Sequence, residues 1–269
     1  KFKVVAVEIN EKGEIDYNDL VNKINSKTKF ISLTHMSNVT GSITDFNYIN
    51  KRIKNMNIPL MIDGCQFAAH SKLNVLDLDC DFYVFSGHKL YGPSGVGVLY
   101  MKEKWFDKFN PYQGGGDMID TVEINNTTFA KGFHKFEAGT PPIAQVIGLG
   151  ASIDFINSLN LKKVFKHEKE LHDYMLNKLL TFNDINIYGN SQNKGAIISF
   201  NFHNIHANDL AIILDQKNVA IRTGHHCAQP LMKYFNIVSS ARISFGVYND
   251  KKDVDLFVDS LKQAKEFLS

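Results

Sequence analysis

An α/β fold built on a mainly parallel sheet, followed by a small α+β domain, is what this sequence predicts. Three observations carry that reading. Helix-like and strand-like segments alternate through the first half. The apolar strands there stop on polar residues, Asp63 and Ser86. A long helical run then separates this half from a region of short strands and one closing amphipathic helix. With 269 residues, the chain suits one large or two modest domains at about 150 residues each. The expected division is a large domain over residues 1–155 and a linking helix plus small α+β domain over 156–269.

Residues 16–25 (DYNDLVNKIN) have helical spacing, with Asp16 as N-cap. The apolar run 30–33 reads as a strand and leads into a polar turn at 37–41. Residues 44–55 read as a helix, 58–62 as a buried strand ending at Asp63, and 81–85 as a short strand ending at Ser86. Glycine-rich stretches at 91–97 and 114–116 mark loops. The segment 142–180 is helical with a break near Asn160. Strands follow at 185–188, 196–202, 219–222 and 241–247, with helices at 207–216 and 253–268.

Hydrophobic residues at 44% and charged residues at 22% are globular values, which exclude a disordered or fibrous chain. Net charge is +2 with the lysines scattered, so nucleic acid is not implied as a partner. Three cysteines without a CxxC pair make neither a disulfide framework nor a metal knuckle, which suits a reducing compartment. No run approaches the roughly 18 apolar residues of a membrane helix, and the start, KFKVVAVEIN, is alternating and charged. A cytoplasmic protein without a membrane partner is expected. The chain opens on Lys1 in a strand-like run, which reads as a fragment.

Asp63, in MIDGCQ, ends an apolar strand where a carboxylate faces the crevice above a parallel sheet; alone it reads equally as a turn or cap residue. Lys89, in SGHK, lies just past the end of the next apolar strand, with Ser86 and His88 beside it as donors suited to a phosphate. A lone lysine is ordinarily a solvated surface charge. An acid ending one strand and a lysine near the end of the next is how a pyridoxal 5′-phosphate site is built. No Walker loop is present, so ATP is not suggested. In RTGHHCAQP, Cys227 follows two histidines and Arg222, a basic setting that favours the thiolate. Its rival readings are a His/His/Cys metal site, disfavoured because adjacent strand residues face opposite ways, and an inert buried thiol. Arg242 offers a forked guanidinium for an amino-acid carboxylate, or is a surface strand residue. Cys65 and Cys80 read as packing residues.

Together THMSNVTG, MIDGCQ, DFYVFSGHKLYGPSGVGVLY, PYQGGGDMI, HKFEAGTPP and RTGHHCAQPLM resemble the group II, or SufS/CsdA-type, cysteine desulfurases of the class V aminotransferase family. These motifs recur in order through nearly the whole chain, and SGHK with RTGHHCA points to group II rather than the IscS/NifS type. The resemblance implies a fold-type I pyridoxal-phosphate transferase, with the large domain partial. It implies that Lys89 binds the cofactor aldehyde, Asp63 contacts the pyridinium nitrogen and Gln66 the ring hydroxyl. Ser86 and His88 would hold the phosphate, Asn38 and Arg242 the substrate carboxylate with Arg222 nearby, and Thr140 the phosphate of the other subunit of a homodimer. No metal is implied. Cys227 would carry a persulfide formed as L-cysteine becomes L-alanine, collected by a SufE- or SufU-type acceptor for iron–sulfur cluster assembly. Family members carry a further N-terminal third with the phosphate-binding Gly/Thr turn and a ring-stacking histidine, so the sequence reads as truncated. The alternatives are selenocysteine lyase on the same residues, kynureninase, which needs no thiol, and an inactive fragment serving only in dimerisation.

Overall fold

The computed structural model describes residues 2–53 and 56–268. In chain order its first elements are α1 (Tyr17–Lys23), β1 (Ile31–Thr34), α2 (Phe46–Ile53), β2 (Leu60–Asp63), α3 (Val75–Leu78), β3 (Phe82–Ser86) and β4 (Gly97–Met101). The hairpin β5 (Ile119–Val122) and β6 (Thr127–Phe129) precedes α4 (Ile143–Ser158) and α5 (Leu161–Leu179). Then come β7 (Ile185–Tyr188), β8 (Ile197–Phe202), α6 (Ala207–Asp215), β9 (Arg222–Gly224), α7 (Gln229–Tyr234), β10 (Ser240–Ser244) and α8 (Lys251–Leu268). Among the described residues no helix is long and apolar enough to cross a membrane.

The chain divides into two units, one formed by Thr28–Thr34 and Ile53–Leu159, the other by Lys1–Lys27, His35–Arg52 and Asn160–Ser269. They are named here for Lys89 and Cys227. The expected boundary at 155/156 falls inside α4, whose apolar sequence keeps it helical to Ser158. The break comes at Asn160, whose side chain caps α5 by accepting from Lys163 N. The expected single N-terminal domain also divides, because residues up to 27 and 35–52 belong with the C-terminal part.

In the Lys89 unit the sheet order is β1-β2-β3-β4, with the first two pairings parallel and β4 antiparallel on β3. Leu60, Ile62, Phe82 and Tyr83 are buried, as near-continuous apolar strands of a covered sheet must be. Asp81 locks the start of β3: its carboxylate accepts from Leu60 N at 3.0 Å and Trp105 Nε1 at 2.8 Å and pairs with Lys104 at 2.7 Å. Burial opposes its charge, but these partners outweigh burial and hold its carboxyl below the ordinary value. After β2 the chain passes so close to the Tyr83 ring that a Cβ on Gly64 would overlap it. Gly64→Ala is therefore expected to cost about 2–3 kcal/mol, read as a lowered denaturation midpoint; an unchanged midpoint would refute the close approach.

The Cys227 unit is an antiparallel sheet of order β7-β8-β10-β9. Its core joins Ile198, Phe200 and Phe202 of β8 and Ala241 and Ile243 of β10 to the inward faces of the helices. These supply Leu171, Met175 and Leu179 of α5, Leu210 and Leu214 of α6, and Val254, Phe257 and Leu261 of α8. Ser199 points away from these helices and donates to Val39 O at 2.6 Å, tying the segment 35–52 to the sheet.

Most expected elements form, with shifted ends. Asp16 caps α1 through Asn18 N and Asp19 N. Of the expected helix 44–55, α2 is described to Ile53, and Lys54 and Asn55 lie outside the described residues. The strand expected at 219–222 starts only at Arg222. Val219 N is consumed by Leu214 O as Asn218 reverses the chain at φ 60°, so residues 219–221 belong to the exit from α6. The strand expected to reach 247 stops at Ser244, where Gly246 N turns onto Asn249 Oδ1.

Candidate active site

Parallel pairing sets Asp63 opposite Val84, so β2 and β3 deliver Asp63 and Ser86 to the same, carboxyl-terminal edge of the sheet. Beyond Ser86 a single 3₁₀ turn, Gly87–Lys89, displays His88 and Lys89 to solvent while Leu90 is buried. Gly87 is required there. A Cβ would meet Val96 Cγ1 at 2.9 Å, and its carbonyl accepts both Leu90 N and Gly92 N. Asp63 is half-buried and its Oδ1 accepts from Cys65 N at 3.0 Å. Burial pushes the Cys65 thiol up, a hydrogen bond to the Asp63 side chain adds to this, and the charge of Lys89 works against both. Asp63, Cys65, Ser86 and Lys89 are thus neighbours. Gln66 is half-buried in the turn after Gly64. Thr140 is exposed in the loop before α4 and shares no hydrogen bond with this group among the described residues. Lys89 forms no ion pair among the described residues.

This donor set fits pyridoxal phosphate: a carboxylate for a protonated ring nitrogen, an amine for the aldehyde, and a hydroxyl and an imidazole for a phosphate.

In the Cys227 unit, Cys227 is exposed on the turn between β9 and α7. His226 and Cys227 have φ of 52° and 58°, consecutive left-handed residues that cost of order 1–3 kcal/mol each. Arg222 NH2 lies 3.8 Å from Cys227 Sγ. Arg222 and Arg242 are direct cross-strand partners, a like-charge pair that favours an anion between them. Arg242 NH1 donates to Asn38 O at 2.9 Å, while its buried Nε has no partner. An unpaired buried guanidinium N–H is an uncompensated donor, which a carboxylate partner would satisfy. The Asn38 side chain spends its own N–H on His226 O at 2.5 Å.

Of the basic setting expected around Cys227, the charge of His226 drops out. Burial, with Arg242 adding to it, lowers the His226 pKa to about 4, so that imidazole is neutral at pH 7. Sequence reasoning missed two positions: Cys65, read as packing, touches Asp63, and His226, read as a basic neighbour, is an anchor. The His226 role has no local signal, because its partner Ser240 is brought in by the fold, whereas Cys65 bonds to Asp63 two residues earlier, a turn contact that the short spacing in MIDGCQ could have signalled.

The aminotransferase class-V family model matches residues 1–257. A probable cysteine desulfurase of Staphylococcus epidermidis is 46% identical over 264 residues, 98% of this chain and 64% of that protein. A cysteine desulfurase of Wigglesworthia glossinidia brevipalpis is 43% identical over 270 residues, covering 100% of this chain and 66% of its own. Among solved structures, the apo cysteine desulfurase of Thermococcus onnurineus superposes with a TM-score of 0.92 at 34% identity, over 97% of this chain and 66% of that one. The cysteine desulfurase CsdA of Escherichia coli gives 0.90 at 34% identity, over 94% and 63%. The chain thus spans about two thirds of the length of the relatives it matches. Its fold is that of the cysteine desulfurases, and the chain belongs to the aminotransferase class-V family.

Proposed function

We propose that the protein acts as a pyridoxal-phosphate-dependent cysteine desulfurase, converting L-cysteine to L-alanine and leaving a persulfide on Cys227. The observation that carries this reading is the exposed thiol of Cys227 on a strained turn of the unit where Arg242 keeps a buried, unpartnered Nε. The bound cofactor supplies an electron sink for charge developing at the substrate α-carbon. Asp63 holds a proton at the ring nitrogen, Gln66 binds the ring hydroxyl, and Ser86 and His88 bind the phosphate. Lys89 Nζ would hold the aldehyde and, as a free amine, would take the substrate α-proton. The Arg242 guanidinium, with Arg222 nearby, binds the substrate carboxylate. Cys227 Sγ attacks the substrate sulfur. An S–S bond forms and the Cβ–S bond breaks with its electron pair left on carbon; that carbon takes up the proton lost by the Cys227 thiol, Lys89 Nζ returns the α-proton to Cα, and alanine results.

The reading extends to a homodimer in which Thr140 reaches the partner's phosphate, to a SufE- or SufU-type acceptor feeding iron–sulfur cluster assembly, and to a cytoplasmic location. The same residues serve L-selenocysteine, and comparing turnover of the two substrates separates desulfurase from selenocysteine lyase. The test is alanine formation from L-cysteine by the purified chain with pyridoxal phosphate and a reductant, with Lys89→Ala as blank. Alanine above the blank is expected. A folded chain that absorbs as a cofactor complex yet makes none would overturn the reading.

A further inference from the structure

We propose that His226 is the positioning residue of Cys227, tying the strained thiol-bearing turn to Ser240 through its imidazole and to Asn38 through its carbonyl. Left-handed backbone at two successive non-glycine residues relaxes unless its surroundings over-determine it. His226 is 2% exposed, and its Nε2 lies 3.0 Å from both Ser240 O and Ser240 Oγ. A main-chain carbonyl only accepts, so Nε2 carries the hydrogen and Nδ1 is left as an acceptor. That Nδ1 is buried without a partner, an unfavourable arrangement retained alongside the Nε2 anchor. Ser240 is fully buried at the start of β10 and is registered opposite Gly224 of β9. The ring therefore links the turn to the strand that carries Arg242. From the other side Asn38 Nδ2 donates to His226 O, and Arg242 NH1 holds Asn38 by its own carbonyl. These bonds leave Sγ of the next residue 3.8 Å from Arg222 NH2.

The meaning of this inference rests on Cys227 as the sulfur-accepting thiol, but its test needs neither cofactor nor turnover, so either can fail alone. In the purified chain, alkylation of Cys227 is followed by peptide mapping with iodoacetate and with neutral iodoacetamide. The ratio of the two rates reports how close a guanidinium stands to the thiol, and a change in general accessibility moves both rates together. Arg222→Gln sets the floor of the ratio. Folded His226→Leu is expected to lower it about two- to five-fold, the range of a partly solvated charge contact. His226→Gln, whose amide can place a donor where Nε2 stood, is expected to keep the wild-type ratio. A folded His226→Leu chain with the wild-type ratio overturns the proposal. So does a folded His226→Gln chain at the Arg222→Gln floor, which decides the matter where His226→Leu does not fold.

Discussion

Replacing Cys227 with alanine is expected to abolish persulfide formation, by at least about 10³-fold, while leaving cofactor uptake intact. The side chain is exposed, so its removal opens no cavity in the core of its unit. Alanine keeps the Cβ, so the left-handed backbone at φ 58° is as strained in the variant as in the wild type. The residues expected to hold the cofactor, Asp63, Ser86, His88 and Lys89, belong to the other unit and are untouched. The check is paired: cofactor absorbance, and sulfur released from L-cysteine to a dithiol, in wild type and Cys227→Ala. Full sulfur release in the variant would remove Cys227 from the chemistry. Loss of absorbance together with sulfur release would make its role structural.

Acidification is expected to destabilise the chain well above the pH at which carboxylates titrate. Burial lowers the pKa of His35, and of His226, from 6.5 to about 4. For such groups the unfolded chain binds protons first. Their stabilising contribution is complete above the unfolded value of 6.5 and is lost as pH falls toward 4. By pH 5 the loss is about 2 kcal/mol for each histidine, approaching 3 kcal/mol near pH 4. Burial also lowers His172, which adds in the same direction. The depressed carboxyls of Asp81 and Asp184 act in a separate window, since their stabilisation is lost only below the ordinary value of 3.8. Denaturant midpoints at pH 7.5, 6 and 5 test this. His226→Gln removes one titrating group and is expected to flatten the curve, and equal midpoints at pH 7.5 and 5 would refute the burial of both rings.

Much of the Lys89 unit was legible in the sequence because its signals are local. An apolar run ending on Asp63 or Ser86 marks both the strand and its functional end; in the Cys227 unit the same is true of Asn160, a capping residue three before the amide it caps. Elements whose signals are not local were missed. β4 lies within a glycine-rich motif and is a strand only because it pairs with β3. The β5–β6 hairpin carries no alternating apolar face, since its strands are exposed throughout. The shifted β9 shows the same limit, because its start is set by where Arg222 meets Arg242 rather than by propensity at 219–221.

By itself the sequence determined most of the strands and helices in order, though not α3, β4, the β5–β6 hairpin or α7, together with the acid and lysine at successive strand ends and the Arg222–Cys227 motif, all of which depend on residues near one another in the chain. Only the tertiary structure decided which groups are buried and which are paired. It made His226 a neutral anchor on Ser240, set Arg222 across from Arg242 and left Arg242 Nε without a partner. The physical reason is that desolvation and cross-strand register arise from packing between distant segments, and these convert a basic or apolar residue type into a specific role.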